Sequence, residues 1–421
     1  PSEYLYNQYP VGKLEQIKQW ERRIQEAIDT GYARDVYGQP IYFNQTHGMD
    51  VLGKMIQACE ESANPAYYGN LRNALHMILN HREGPISGMG FNTYPGMMLN
   101  DFQTYVKDPA YYRVAELINQ LFHRYQSYQT PYTREELEFP GVEVQKVEVV
   151  SEEEAAVPNV LSTYMGRYNM DLANAMETPE QEQLMGMERL HHKSFQYIIK
   201  VKSEVAKKAL VRIFLAPVYN SFGEEIPLTQ QRHHFVELDK FVVELEQGET
   251  IVRRSSLDSS LTVPETQGFK QMIEEVVAAK KGQTVMYVEE NQPRCGIPNR
   301  MLLPRGTPEG LKFNLLVMVT DAEKEILEHF HHQYLYPQMF KQQYQQQGSI
   351  YQQYKQVEKE VVVKADKHYL PTYAQCGLID GTYPFARSMG YPLDRPIHYY
   401  GKQAFQTQNM KFVDVVIKHV K

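Results

Sequence analysis

The hydrophobic period of this chain changes once along its length. Before Pro131 the apolar residues recur every three or four positions, and after Gly141 many of them alternate. Helices and strands place different residues on one face, so a segment serves one period or the other. A helical region followed by a β region is therefore expected, an α+β fold with the change near Pro131 to Gly141.

In the first region, Leu14, Ile17, Trp20, Ile24 and Ile28 form one apolar face, and Gly31 follows as a stop. Met49–Cys59 and Leu71–Leu79 repeat the pattern. Asp108 is placed to N-cap a further helix with Pro109 at its first position, running through Val114, Leu117, Ile118, Leu121 and Phe122. In the second region Val142–Val150 is rich in β-branched residues. Phe195, Tyr197, Ile199 and Val201 alternate, as do Ala209, Val211, Ile213 and Leu215. Phe235–Leu245, Leu311–Thr320 and Phe412–Val420 are further strands. Pro and Gly punctuate these runs, which predicts a mainly antiparallel sandwich or barrel with a helix or two inserted.

Composition narrows the function. With 44 basic and 51 acidic residues the net charge is −7, and no basic stripe interleaves with aromatics, so no nucleic-acid surface is expected. No apolar run approaches the ~20 residues of a membrane helix, so no membrane insertion is expected. The chain holds 31 Tyr, 17 Phe and 18 Met but one Trp. Catalysis does not call for many dispersed tyrosines, and the bias suits a nutritive role. Gln333–Gln356, with ten Gln and five Tyr in 24 residues, is too polar for a core of its own.

No nucleophile elbow, phosphate loop or dinucleotide fingerprint occurs. Arg72 and His76 have the i, i+4 spacing of a helical metal pair, but a guanidinium has no lone pair to give. His191–His192, His233–His234 and the group His329, His331, His332 read as packed or solvated side chains. Three cysteines cannot form a disulfide scaffold. Either all three are free thiols or Cys295 and Cys376, both in loops, are bridged while Cys59, in an apparent helix, is free. Asn44-Gln45-Thr46 is an N-glycosylation sequon in a turn between helices.

Several segments together resemble the arthropod haemocyanin superfamily. They are Arg23–Ile28 with Gly31-Tyr32, Gly48–Gly53, Tyr67–Leu71, Asp108–Arg113 and Pro131–Thr133 in the helical part. Val236–Phe241, Ser259–Pro264, Cys295–Pro298, Met301–Gly306 and Gly390–Arg395 continue the match in the same order. Ile297 departs from it, since the family commonly has Trp there. The resemblance implies that residues 1–137 are the C-terminal part of a haemocyanin-type helical domain. It implies that 138–421 are the β-rich, immunoglobulin-like C-terminal domain. It places the second copper's three histidine ligands at Arg72, His76 and Ala115, of which one histidine remains, so no cofactor is expected. It also implies the Cys295–Cys376 bridge. Copper loss on this scaffold matches the hexamerins, which are non-enzymatic amino-acid reservoirs secreted into insect haemolymph. The implied partners are an upstream segment of the same subunit and the other chains of a homo- or hetero-hexamer. Rival readings are a haemolymph carrier of a small apolar ligand, a hormone or flavin, and a dicopper oxygen carrier or phenoloxidase. No leader pattern of charged head and apolar core follows Pro1, which fits a piece of a longer polypeptide. The apolar faces at Leu14–Ile28 and Val114–Phe122 are then expected to need covering by upstream helices.

Overall fold

The computed structural model describes residues 12–45, 48–80, 108–152, 157–172, 183–263, 269–283, 297–326 and 386–420. The chain forms two compact units. The first is Pro1–Pro131 with Asp394–Pro396, and the second is Tyr132–Leu393 with Ile397–Lys421.

The helical unit contains α1 (Gly12–Thr30), a hairpin of β1 (Tyr32–Arg34) and β2 (Pro40–Tyr42), α2 (Gly48–Gln57), α3 (Pro65–Tyr68), α4 (Leu71–Asn80) and α5 (Pro109–Ser127). Its ends follow the local chemistry. Gly31 adopts φ +78°, which a Cβ would oppose, and α1 stops there. The Asp108 carboxylate accepts a hydrogen bond from the Ala110 N–H at 2.9 Å, and Pro109 occupies the first helical position. Ile17, Ile24 and Ile28 of α1 pack with Leu52, Met55 and Ile56 of α2, Leu71 and Ala74 of α4, and Leu121 and Tyr125 of α5. This corrects the expectation of an uncovered face for α1, while on α5 Leu117, Ile118 and Phe122 are only half-buried. Of the α1 stripe, Leu14 alone is largely exposed, at 47%, and Val114 and Leu121 of α5 are buried.

The second unit opens with α6 (Arg134–Leu137), started by a capping box between Thr133 and Glu136. The fully buried Leu137 belongs to this unit's core. Then follow β3 (Val142–Ser151), β4 (Val160–Asp171), β5 (Leu184–His192), β6 (Phe195–Ser203), β7 (Lys207–Pro217), α7 (Leu228–Gln231), β8 (Val236–Leu245) and β9 (Gly248–Ser255). After β10 (Thr262–Val263) and α8 (Phe269–Lys280) come β11 (Ile297–Pro298), β12 (Leu311–Asp321), α9 (Ala322–Glu325), α10 (Gly401–Phe405) and β13 (Met410–His419). A six-stranded sheet runs β5-β4-β13-β12-β7-β8, and a three-stranded sheet runs β3-β6-β9. Within the six-stranded sheet β4 and β13 are parallel and the other neighbours antiparallel. The inward residues of both sheets, among them Val147, Tyr197, Ile199, Val211, Ile213, Leu315 and Val415, share one core. This is the expected α+β architecture with a sandwich second.

β7 departs from the half-buried pattern that its alternation suggests. Residues 209–216 are all buried. Ala209, Val211, Ile213 and Leu215 face the sandwich interior. Phe214 packs on the other face with Tyr391, Leu393, Ile397 and Phe405, segments distant in sequence that roof the sheet. Interior strands covered on both faces lose the solvated side that alternation presumes.

Candidate functional site

α4 carries Arg72 and His76 on successive turns, and α5 carries Ala115. α4 is fixed by Leu71 and Ala74, which are buried in the helical core, and α5 by Val114, Leu121 and Tyr125. Arg72 is exposed, and His76 and Ala115 are half-buried. Partial burial holds the His76 imidazole below its ordinary pKa, and the Arg72 guanidinium pushes it in the same direction. His76 is thus a neutral side chain with a cation for a neighbour. One imidazole, one guanidinium and one methyl stand at these three positions. A guanidinium and a methyl offer no electron pair, and the fixed positive charge of Arg72 disfavours a second cation beside it. The residues do not fit a copper ion. Among the described residues no group of three or more His, Cys, Asp or Glu could hold a metal.

The other sequence candidates lie apart. Asn44 is exposed, and its backbone carbonyl accepts hydrogen bonds from the Tyr125 hydroxyl and the Gly48 N–H, both at 2.9 Å. Both bonds are made by the Asn44 backbone. Thr46, Cys295, Cys376, the cluster at His329 to His332 and the Gln-rich segment are outside the described residues. Cys59 is a half-buried free thiol. It follows α2 rather than lying within it, because α2 ends at Gln57 and Ala58 takes φ +53°. His191 stacks on Tyr164 with ring centroids 5.6 Å apart. His192 is buried, with Nε2 2.8 Å from the Asn299 carbonyl. His233 and His234 are exposed.

The strongest polar constellation was not singled out from sequence. Asp239 of β8 and Arg254 of β9 are 0% and 2% exposed and form an ion pair between the two sheets. Arg254 Nε donates to Asp239 Oδ2 at 2.8 Å and Nη2 to Oδ1 at 3.2 Å. The same carboxylate accepts from the Ser260 hydroxyl and N–H and from the Lys240 N–H, at 2.8–2.9 Å. Ser259 Oγ donates to the Leu238 carbonyl at 2.7 Å. Two segments that carried the resemblance, Val236–Phe241 and Ser259–Pro264, therefore meet at one buried carboxylate. A charge in the middle of an apolar strand was the available signal. On the outer face of the same sheet, Arg212 Nη2 donates to Glu325 Oε2 at 2.5 Å and Nη1 to Thr320 Oγ1 at 2.9 Å. These pairs tie buried strands together, and the hydroxyls of Ser260 and Thr320 are engaged as their hydrogen-bond partners.

Comparison with known proteins follows the two units. Residues 1–122 match the family model "Hemocyanin, copper containing domain", and residues 131–419 match "Hemocyanin, ig-like domain". The chain is similar to Hemocyanin A chain of Panulirus interruptus, with 33% identity over 92% of the chain and 53% of that protein. It is similar to Phenoloxidase 3 of Drosophila melanogaster, with 32% identity over 98% and 54%. It is similar to Hexamerin of Blaberus discoidalis, with 30% identity over 97% and 50%. The chain thus spans about half the length of these relatives. Among solved structures, a scorpion haemocyanin in its activated state superposes with TM-score 0.77 at 30% identity, covering 97% of this chain and 58% of that one. Identity alone does not separate the three kinds of relative, so the donor residues must.

Proposed function

The chain belongs to the haemocyanin superfamily, and from that premise we propose that it is a copper-free, non-enzymatic storage protein of the hexamerin kind. The observation that carries this reading is the donor set Arg72, His76 and Ala115. The matching family model is named for a copper-containing domain, and two of the three positions that the resemblance assigns to the copper ligands carry no imidazole. Dioxygen carriage and diphenol oxidation both require the metal. Storage requires only a compact fold with a useful composition. The 31 Tyr, 17 Phe and 18 Met in 421 residues suit a reserve of amino acids released by proteolysis after uptake.

The same reading places the protein in haemolymph as a subunit of a homo- or hetero-hexamer, together with an upstream segment of its own polypeptide. It also includes a glycan on Asn44 and a Cys295–Cys376 bridge. Among the described residues no helix is long and apolar enough to cross a membrane. The test is to incubate the purified native protein with copper, re-isolate it, measure bound metal and assay o-diphenol oxidation. Substoichiometric copper and no turnover are expected. One or more tightly held copper ions per subunit, or sustained diphenol oxidation, would overturn the proposal. An organic chromophore retained through purification would instead favour the carrier reading.

A further inference from the structure

Beside the inter-sheet pair, two buried polar atoms have no hydrogen-bond partner among the described residues. Tyr197 of β6 and Arg254 of β9 are direct cross-strand neighbours, so their side chains share the face that looks into the sandwich. Tyr197 is 0% exposed, and its hydroxyl has no hydrogen-bond partner among the described residues. Arg254 spends Nε and Nη2 on Asp239, while Nη1 is buried and has no partner. The two atoms belong to one electrostatic neighbourhood. Burial pushes the Tyr197 phenol well above its usual range, with the Asp239 carboxylate adding to this and Arg254 opposing it. The phenol therefore stays protonated and able both to donate and to accept.

We propose that Tyr197 Oη and Arg254 Nη1 hold an ordered water molecule inside the sandwich, which completes the polar link between β6, β9 and β8. Buried polar groups are nearly always hydrogen-bonded, to protein or to water. The ligand must accept from a guanidinium N–H and exchange a hydrogen bond with a phenol, and water does both. The charge balance selects water over an anion. Arg254 is already neutralised by Asp239, so a halide here would be an uncompensated charge in an apolar core of Phe195, Ile199, Phe241 and Val252. The surroundings also restrict the guanidinium, which lies over the Phe241 ring with Cζ 4.5 Å from its centroid.

The experiment is a crystal structure of the native protein at a resolution that orders interior waters, with a second crystal grown in bromide. A water oxygen within about 2.7–3.2 Å of both Tyr197 Oη and Arg254 Nη1 is expected in each. Its absence would overturn the proposal, and so would anomalous bromide density at that point. Tyr197→Phe supplies an independent readout. With the water present, losing the hydroxyl strands the guanidinium N–H, and the melting midpoint of the sandwich falls by roughly 2–4 °C. If the hydroxyl is a true orphan, removing it relieves a desolvation cost. An unchanged or raised midpoint would then defeat the idea.

Discussion

The helical unit and the sandwich solve the problem of a core in different ways. The helical unit closes α1, α2, α4 and α5 around aliphatic side chains, with Tyr68 and Tyr125 directed so that their hydroxyls reach backbone groups at its margin. Its main ion pair, Arg124 to Asp29 at 2.6 and 2.7 Å, is partly exposed. The sandwich unit takes charge inside, through Asp239–Arg254 between the sheets and Arg212–Glu325 on the outer face of one of them. Exposed pairs contribute little, because water and salt screen them. Buried pairs are costly to assemble and more costly to break. Polar substitutions should therefore be well tolerated in the first unit and damaging in the second. Steric ones should be damaging in both.

The largest effect is expected from Asp239→Ala. It strands Arg254 in the interior and removes the acceptor of Ser260 and of the Lys240 N–H. Breaking a buried pair in this way costs ~3–5 kcal/mol, read as a lower denaturation midpoint of the strand signal in circular dichroism. Asp239→Leu combined with Arg254→Met should recover most of the loss, because the charge and its partner leave together. A single variant costing under ~1 kcal/mol would show that solvent reaches the pair.

Gly69→Ala should come next, in the helical unit. Gly69 has φ +76°, and a Cβ there would lie within the Trp20 ring. Left-handed strain and overpacking together amount to roughly 2–4 kcal/mol. Trp20 is the chain's only tryptophan, so its fluorescence reports this unit separately from the strand signal. An unshifted Trp20 transition would mean that the ring has room to move. Asp108→Ala is milder, since the loss of one N-cap hydrogen bond at the start of α5 costs ~1 kcal/mol. It should exceed the effect of Arg124→Ala, which removes only a partly exposed pair.

How much of this was legible depended on whether the signal was local. The Asp108-Pro109 start of α5, the Gly31 stop and the inward set of β6 are decided by residues within a turn or two, and the structure has them as the sequence implies. Strands β4, β5 and β9 escaped notice because their apolar residues are interrupted by Gly, Arg, Glu and His, and pairing rather than pattern makes them strands. The two-sided burial of β7 was invisible because its roof comes from Tyr391 to Phe405, far along the chain. The same distance misled the reading of α1. An apolar helix face states that it needs a partner, but not which one, and α2 and α4 supply it here. At the candidate site the sequence supplies only the identities of Arg72, His76 and Ala115, which the resemblance assigns to the ligand positions. Structure adds only the partial burial of His76 and the electrostatic influence of Arg72.

That influence gives the smallest of the expected effects, and it opposes the general tolerance of the helical unit to polar change. The His76 pKa is lowered in the folded chain, by partial burial first and by Arg72 second. Below the ordinary histidine value of about 6.5, the unfolded chain binds a proton that the folded chain refuses. The unfolded state then holds more protons, so stability rises with pH. It is full above the unfolded value and is lost as pH falls through that value towards the lower folded one. Denaturation midpoints read by Trp20 fluorescence should therefore decline on acidification from neutral pH through this window. His76→Gln should flatten the decline, and the comparison with wild type cancels other histidines titrating in the same range. Arg72→Gln should flatten it only in part, because burial, the larger cause, remains. A copper ion on His76 would add a distinct signature, since a metal competes with the proton for the ring nitrogen and would make the midpoint copper-dependent above the window. Superposable wild-type curves with and without copper are expected. A copper-dependent shift that His76→Gln abolishes would mean that this degenerate position still binds metal, and the case for a storage protein would lose its main support.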